Sequence, residues 1–307
     1  MRVLIASDGS AGAAEAVALA QTMAWPADST LRIVSVVESG PWIAPLPRMP
    51  ASPTPALEDE LVAYLEAQQA EIVERFGPGR GVEAAILRGR PASAILDDAR
   101  EFAADVVIVG YRGLGPIASL VLGSVSSEVV DHAPCPVLVA RRATLTNVVF
   151  ATDGSPSARA AEDVLVRWPI FDGLAIRVVS VADALRPWTS GVAPLMQRQA
   201  LDAYAQDIEE ATAESARIAE GTAARLRAAG REAEADVRRG DAAAEIIAMA
   251  AERRADLVVL GSRGRSGLAR IVLGSVARNV LAGTETSVLI VREAAGKDPH
   301  NGSAAVR

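Results

Sequence analysis

The stretch VVIVGYRGLGPIASLVLGS at residues 106–124 returns 151 residues later as LVVLGSRGRSGLARIVLGS at 257–275. Each copy opens on five apolar residues without polar alternation, the pattern of a central parallel strand covered on both faces. A Gly-x₂-Gly-x₉-Gly-Ser spacing follows, at Gly110, Gly113, Gly123 and Ser124, then at Gly261, Gly264, Gly274 and Ser275. Glycine-bearing backbone leaving such a strand sits at the mouth of a parallel sheet.

Working outward, the rest of each copy aligns as well. RVLIASDGS from Arg2 matches NVVFATDGS from Asn147, which puts Asp8 and Asp153 in register. LRIVSVV from Leu31 matches IRVVSVA from Ile176, and RGRPASAILDD from Arg88 matches RGDAAAEIIAM from Arg239. PVLVARR from Pro136 matches SVLIVRE from Ser287. This is a domain-sized internal duplication. In the first copy the periodicity predicts strands at about 2–7, 31–37, 82–87, 105–110 and 136–140, and helices at about 11–24, 57–76, 91–103 and 124–132. Strands alternating with helices give two doubly wound α/β domains with five-stranded parallel sheets, Rossmann-like in class. The expected bounds are 1–143 and 144–293, with a disordered tail at 294–307. Ser10 and Ser155 are natural helix N-caps, and Pro156 suits a first helical turn. The proline-rich 40–56 and its shorter counterpart 184–195 read as surface excursions.

Composition narrows the function classes. The formal charge of −7 argues against nucleic acid or an anionic membrane surface as partner. Cys135 is the only cysteine, so no intramolecular disulfide forms. No apolar run reaches spanning length, and the N-terminus reads as a strand rather than a signal peptide, so the cytoplasm is expected. Two histidines, His132 and His300, and one cysteine leave no Cys/His metal site and no partnered nucleophile.

The repeated loop suits a bound phosphate. Glycines bring main-chain N–H groups toward a ligand, Gly123–Ser124 and Gly274–Ser275 then open a helix, and the serine hydroxyl adds a donor. Arg112, Arg263, Arg265 and Arg270 are near in sequence and able to screen phosphate charge. The alternative is that the glycines serve tight turns only. No lysine precedes the final serine, unlike a P-loop, and the first strand ends in SDGS or TDGS instead of a dinucleotide GxGxxG. Asp8 and Asp153 point to the same crevice, as acceptors for ribose hydroxyls, as Mg²⁺ ligands, or simply as caps of the next helix.

These residues together resemble the universal stress protein family in its tandem form and its ATP-binding branch: the D-G-S strand end, the G-x-P/A-A segment and the Gly-x₂-Gly-x₉-Gly-Ser loop. The resemblance covers the chain apart from its tail. It implies strand order 3-2-1-4-5 in each domain and an adenine nucleotide, ATP, held by two sites. Carried over, these are Asp8, Val37, Gly110, Gly113, Gly123 and Ser124, and Asp153, Ala182, Gly261, Gly264, Arg265, Gly274 and Ser275, with Val36–Val37 and Val181–Ala182 flanking the adenine. Tyr111, Leu114 and Pro116 depart from the family's small or basic residues, so the second site is expected to bind more tightly. The resemblance also implies a pseudo-twofold pairing of the two domains through their fifth strands, and a homodimer of whole chains is a further expectation. Without a nearby lysine, binding in stress signalling toward a regulated protein is expected over turnover, with a weak Mg-dependent ATPase or a nucleotide-free scaffold as the alternatives.

Overall fold

The computed structural model describes residues 1–38, 55–77, 79, 81–113, 122–182, 194–264 and 273–293. The expectations for 294–307, for Leu114, Pro116, Arg265 and Arg270, and for most of the two proline-rich excursions lie outside the described residues.

The first half comprises β1 (Arg2–Ala6), α1 (Ala11–Thr22), β2 (Thr30–Val37), α2 (Pro55–Phe76), β3 (Gly81–Arg88), α3 (Pro91–Glu101), β4 (Val106–Gly110), α4 (Ser124–His132) and β5 (Val137–Ala140). The second repeats it as β6 (Asn147–Ala151), α5 (Pro156–Arg167), β7 (Ala175–Ala182), α6 (Pro194–Ala228), β8 (Glu232–Arg239), α7 (Ala242–Glu252), β9 (Leu257–Gly261), α8 (Ser275–Gly283) and β10 (Ser287–Val291). Pro55 and Pro194 open helices instead of closing the excursions. A helix start has no use for the N–H that proline lacks.

The ten strands of the described residues form one sheet, in the order β3-β2-β1-β4-β5-β10-β9-β6-β7-β8. Neighbours are parallel except at the centre, where β5 and β10 run antiparallel with Leu138 opposite Leu289. The strands of the two halves therefore point in opposite directions, and their carboxyl ends lie at opposite ends of the sheet. Side chains alternate across it. Val3, Ile5, Ile33, Ile108, Val148, Phe150 and Val259 pack with α1, α2, α5 and α6 on one face. Leu4, Val34, Val107, Val109, Val149 and Val258 pack with α3, α4, α7 and α8 on the other. Each core runs unbroken across both halves.

The short connection between halves is pinned on both sides. Backbone N–H groups of Arg141 and Arg142 both donate to the Ser287 hydroxyl, at 3.1 and 3.2 Å. Asp256 accepts from the Thr144 and Thr146 hydroxyls at 3.0 and 2.6 Å and from the Thr146 and Asn147 amides at 2.8 and 3.2 Å. Burial works to raise the Asp256 pKa, but these donors outweigh it and hold the carboxyl below its ordinary value.

Candidate nucleotide crevices

Each half has a crevice beyond the carboxyl ends of its strands, where the chain order reverses between β1 and β4, or between β6 and β9. The DGS turn builds one wall. Gly9 and Gly154 adopt left-handed backbone at φ 77° and 74°, which a side chain would strain. In each turn one carboxylate oxygen of the aspartate accepts from the serine amide two residues on, Ser10 to Asp8 and Ser155 to Asp153, both at 3.0 Å. The serine hydroxyl then accepts from the third helical amide, Ala13 at 3.2 Å and Ala158 at 3.3 Å, an N-cap as expected. The same hydroxyl donates to the carbonyl of Arg112 at 3.1 Å or Arg263 at 3.2 Å. The cap thereby ties the helix to the glycine loop, a second task that its sequence did not announce.

The motif glycines work differently from expectation. None of Gly110, Gly113, Gly123, Gly261, Gly264 and Gly274 has positive φ, so the loop does not draw on their conformational freedom. What counts is the missing Cβ. At Gly110 and Gly261 it would lie 2.7 Å from the amide nitrogens of Ala13 and Ala158, so these two positions let α1 and α5 close on the strand ends. At Gly264 it would lie 3.0 Å from the second Asp153 carboxylate oxygen, and at Gly113 it would collide with that of Asp8. Each carboxylate thus lies directly against its loop. Gly123 and Gly274 are the N-caps of α4 and α8, and among the described residues no side-chain cap bond is made at either helix start. Their amides donate back to Tyr111 and Ser262 carbonyls, at 3.0 and 2.8 Å. A helix start with glycine at its cap is the kind of place that favours an anion.

The second crevice is a cavity of about 340 Å³ walled by Asp153, Gly261, Gly264, Gly274 and Ser275, with Val179, Val181 and Ile246 on its apolar side. The first measures about 90 Å³ and is walled by Asp8, Gly110, Arg112 and Ser126, with Val34, Val36 and Ile95 as its apolar part. Gly113, Gly123 and Ser124 border the first crevice from the loop and helix start without lining that small space. Alternation along β2 and β7 puts Val36 and Val181 on the cavity side, whereas Val37 and Ala182 share the opposite face with Ser35 and Ser180. Sequence reasoning also missed Ile246 and Val276, which only the packing of α7 and α8 brings to the second cavity. His132 is exposed with Nδ1 2.9 Å from the Glu128 carbonyl, in keeping with a helix-end role.

The sequence profile described as the universal stress protein family matches residues 1–141 and again 144–292. A universal stress protein of Thermus aquaticus is 39% identical over 142 residues, covering 45% of this chain and 97% of its own. One of Mycolicibacterium smegmatis is 27% identical over 305 residues, 94% of this chain and 96% of its own. Among solved structures, a universal stress protein from Archaeoglobus fulgidus superposes with a TM-score of 0.63 at 17% identity, over 95% of this chain and 98% of that one, a likeness of fold. With two successive family matches across nearly its whole length, the chain belongs to the universal stress protein family.

Proposed function

We propose that the chain holds an adenine nucleotide, ATP, by its Gly-motif architecture and serves as a binding module in stress signalling. One observation carries this reading: Asp153, Gly261, Gly264, Gly274 and the uncapped start of α8 converge on a single 340 Å³ cavity with an apolar flank. Its size lies within the ordinary range of small-molecule sites, about 300–1,000 Å³. The residues suit the ligand. Amides of α8 and the Ser275 hydroxyl answer phosphate oxygens, Val179, Val181 and Ile246 offer a surface for the base, and Asp153 accepts from ribose hydroxyls. Asp153 is a single carboxylate, so a Mg²⁺ ion there would take its other oxygens from the nucleotide and water. Asp8, Gly110, Gly113, Gly123 and Ser124 are the corresponding set in the first half.

Holding is favoured over turnover because phosphoryl transfer calls for concentrated positive charge, and the sole lysine, Lys297, is far along the sequence from either loop. The proposal includes two domains at 1–143 and 144–293, a cytoplasmic setting, and a regulated protein that reads the nucleotide state, with association of whole chains as a further level. Among the described residues no helix is long and apolar enough to cross a membrane. Titration calorimetry with ATP and Mg²⁺ tests the reading. Saturable heat with ATP recovered intact after hours is the expected result. Absent heat overturns it in favour of a scaffold, and stoichiometric release of phosphate overturns it in favour of an ATPase.

A further inference from the structure

We propose that the second half alone takes the nucleotide, and that Ser126, which ties α4 to Gly110 inside the first crevice, and Tyr111, which ties the start of the first loop to the seam between the halves, commit the first copy to structure instead of ligand. This rests on the nucleotide reading above and assigns its occupancy.

The two crevices share a motif but not a shape. Over the described residues the first encloses about 90 Å³ and the second about 340 Å³. The smaller volume falls well below what small-molecule sites ordinarily provide. Two substitutions between the copies distinguish the contacts made beside the described ends of the first loop. Ser126 stands where the second copy has Ala277. Its buried hydroxyl lines the first cavity and donates to the Gly110 carbonyl at 2.7 Å, fastening α4 to the end of β4 across the crevice. Ala277 has no hydroxyl with which to make that link.

Tyr111 stands where the second copy has Ser262. Its ring lies under the Arg141 guanidinium at 3.7 Å and near that of Arg112 at 5.2 Å. Both distances fall within cation–π range. Arg141 is itself fixed to the other half, donating to the Leu281 and Thr284 carbonyls at the end of α8. The start of the first loop, Tyr111–Gly113, is therefore drawn into the joint between halves. On the far side of Tyr111–Gly113, between α1, Arg141, Thr284 and Glu285, the seam encloses about 430 Å³, more than either crevice.

Contacts with the following helix differ as well. Gly12 lets the Arg112 carbonyl approach α1 so closely that a Cβ would be excluded. In the second copy Ser157 occupies that place, and its hydroxyl accepts from the Arg263 amide at 3.2 Å. A serine spacer holds the second loop, whereas direct backbone contact holds the first.

Calorimetry on the full chain with ATP and Mg²⁺ reads the occupancy. One nucleotide per chain is expected, and Gly274→Val should abolish all saturable heat. Val276→Trp, on an exposed residue lining the second cavity, repeats that test with less disturbance to the backbone. The double variant Tyr111→Ser/Ser126→Ala should raise the stoichiometry from one to two. Two nucleotides in the unaltered chain, or half the heat surviving Gly274→Val and Val276→Trp, overturns the proposal. A folded double variant that still binds one overturns the assignment to Tyr111 and Ser126. No binding at all by the unaltered chain instead removes the nucleotide reading beneath it.

Discussion

Arg141 and Arg292 perform the same act on opposite helices. Arg141, leaving β5, donates to the Leu281 and Thr284 carbonyls at the end of α8, and Arg292, leaving β10, donates at 2.5 Å to the Val130 carbonyl in α4. Leu281 and Val130 are equivalent positions of the two copies, so each half caps the other half's motif helix. Burial lowers both guanidinium pKa values, that of Arg141 to about 10, with Arg112 adding to the effect there and Arg263 at Arg292.

Removing one of these caps should cost more than a surface arginine does. Arg141→Ala is expected to lower stability by about 2–3 kcal/mol, because charged donors leave and carbonyls remain in the joint. Urea unfolding monitored by circular dichroism checks this. A change below about 0.5 kcal/mol, the level of an ordinary surface substitution, would count against a structural cap.

Asp256 carries a pH signature. Its folded pKa is depressed, so its contribution is fully present above the unfolded value of about 3.9 and fades as pH falls through the lower folded value. Asp256→Asn should therefore destabilise by about 1–3 kcal/mol at pH 7. The gap between variant and parent should narrow below about pH 4. Thermal melts from pH 3 to 7 make the comparison, and a gap independent of pH would contradict the carboxylate's role.

The motif glycines should separate into two classes. Gly261→Ala places a methyl group 2.7 Å from the Ala158 amide nitrogen and should destabilise by about 1–3 kcal/mol through overpacking. Gly123→Ala meets nothing nearer than 3.6 Å and should change stability by less than about 1 kcal/mol. Melting temperatures of the two variants test the contrast, and equal losses would refute it.

Asp153→Asn isolates the carboxylate's charge from its turn. The amide oxygen still accepts from Ser155, so the turn itself should be retained. ATP affinity should fall about tenfold, the equivalent of about 1.4 kcal/mol for one lost charged contact. Titrations with and without Mg²⁺ then tell which role is lost. A drop only with the ion present identifies a metal ligand, an equal drop in both points to the ribose, and unchanged affinity excludes Asp153 from the site.

The frame of the molecule was legible because its signals are local. VVIVG and LVVLG are buried at all five positions, as unbroken apolar runs require, and Ser10 and Ser155 cap the helices they precede. The site was legible as a set of residues but not as a mechanism of packing. That Gly110 receives the α1 backbone depends on residues about a hundred positions apart, and no spacing rule reports it. Which of Val36 and Val37 turns its side chain to the crevice was not legible for a similar reason: alternation gives two faces, but only the placement of α3 tells which one borders the crevice. The unequal volumes were not legible either, and the contacts of Tyr111 with Arg141 and of Ser126 with Gly110 appear only once the chain is folded.

The antiparallel meeting of β5 and β10 also changes the order of the assembly reaction. Two separate copies joining along this edge would obey mass action and come apart on dilution. Here the stretch from Arg141 to Thr146 keeps the partner edge always at hand, at a local concentration fixed by tether length alone. Closure of the seam is thus a first-order event, and the paired state is indifferent to how scarce the protein becomes in the cell.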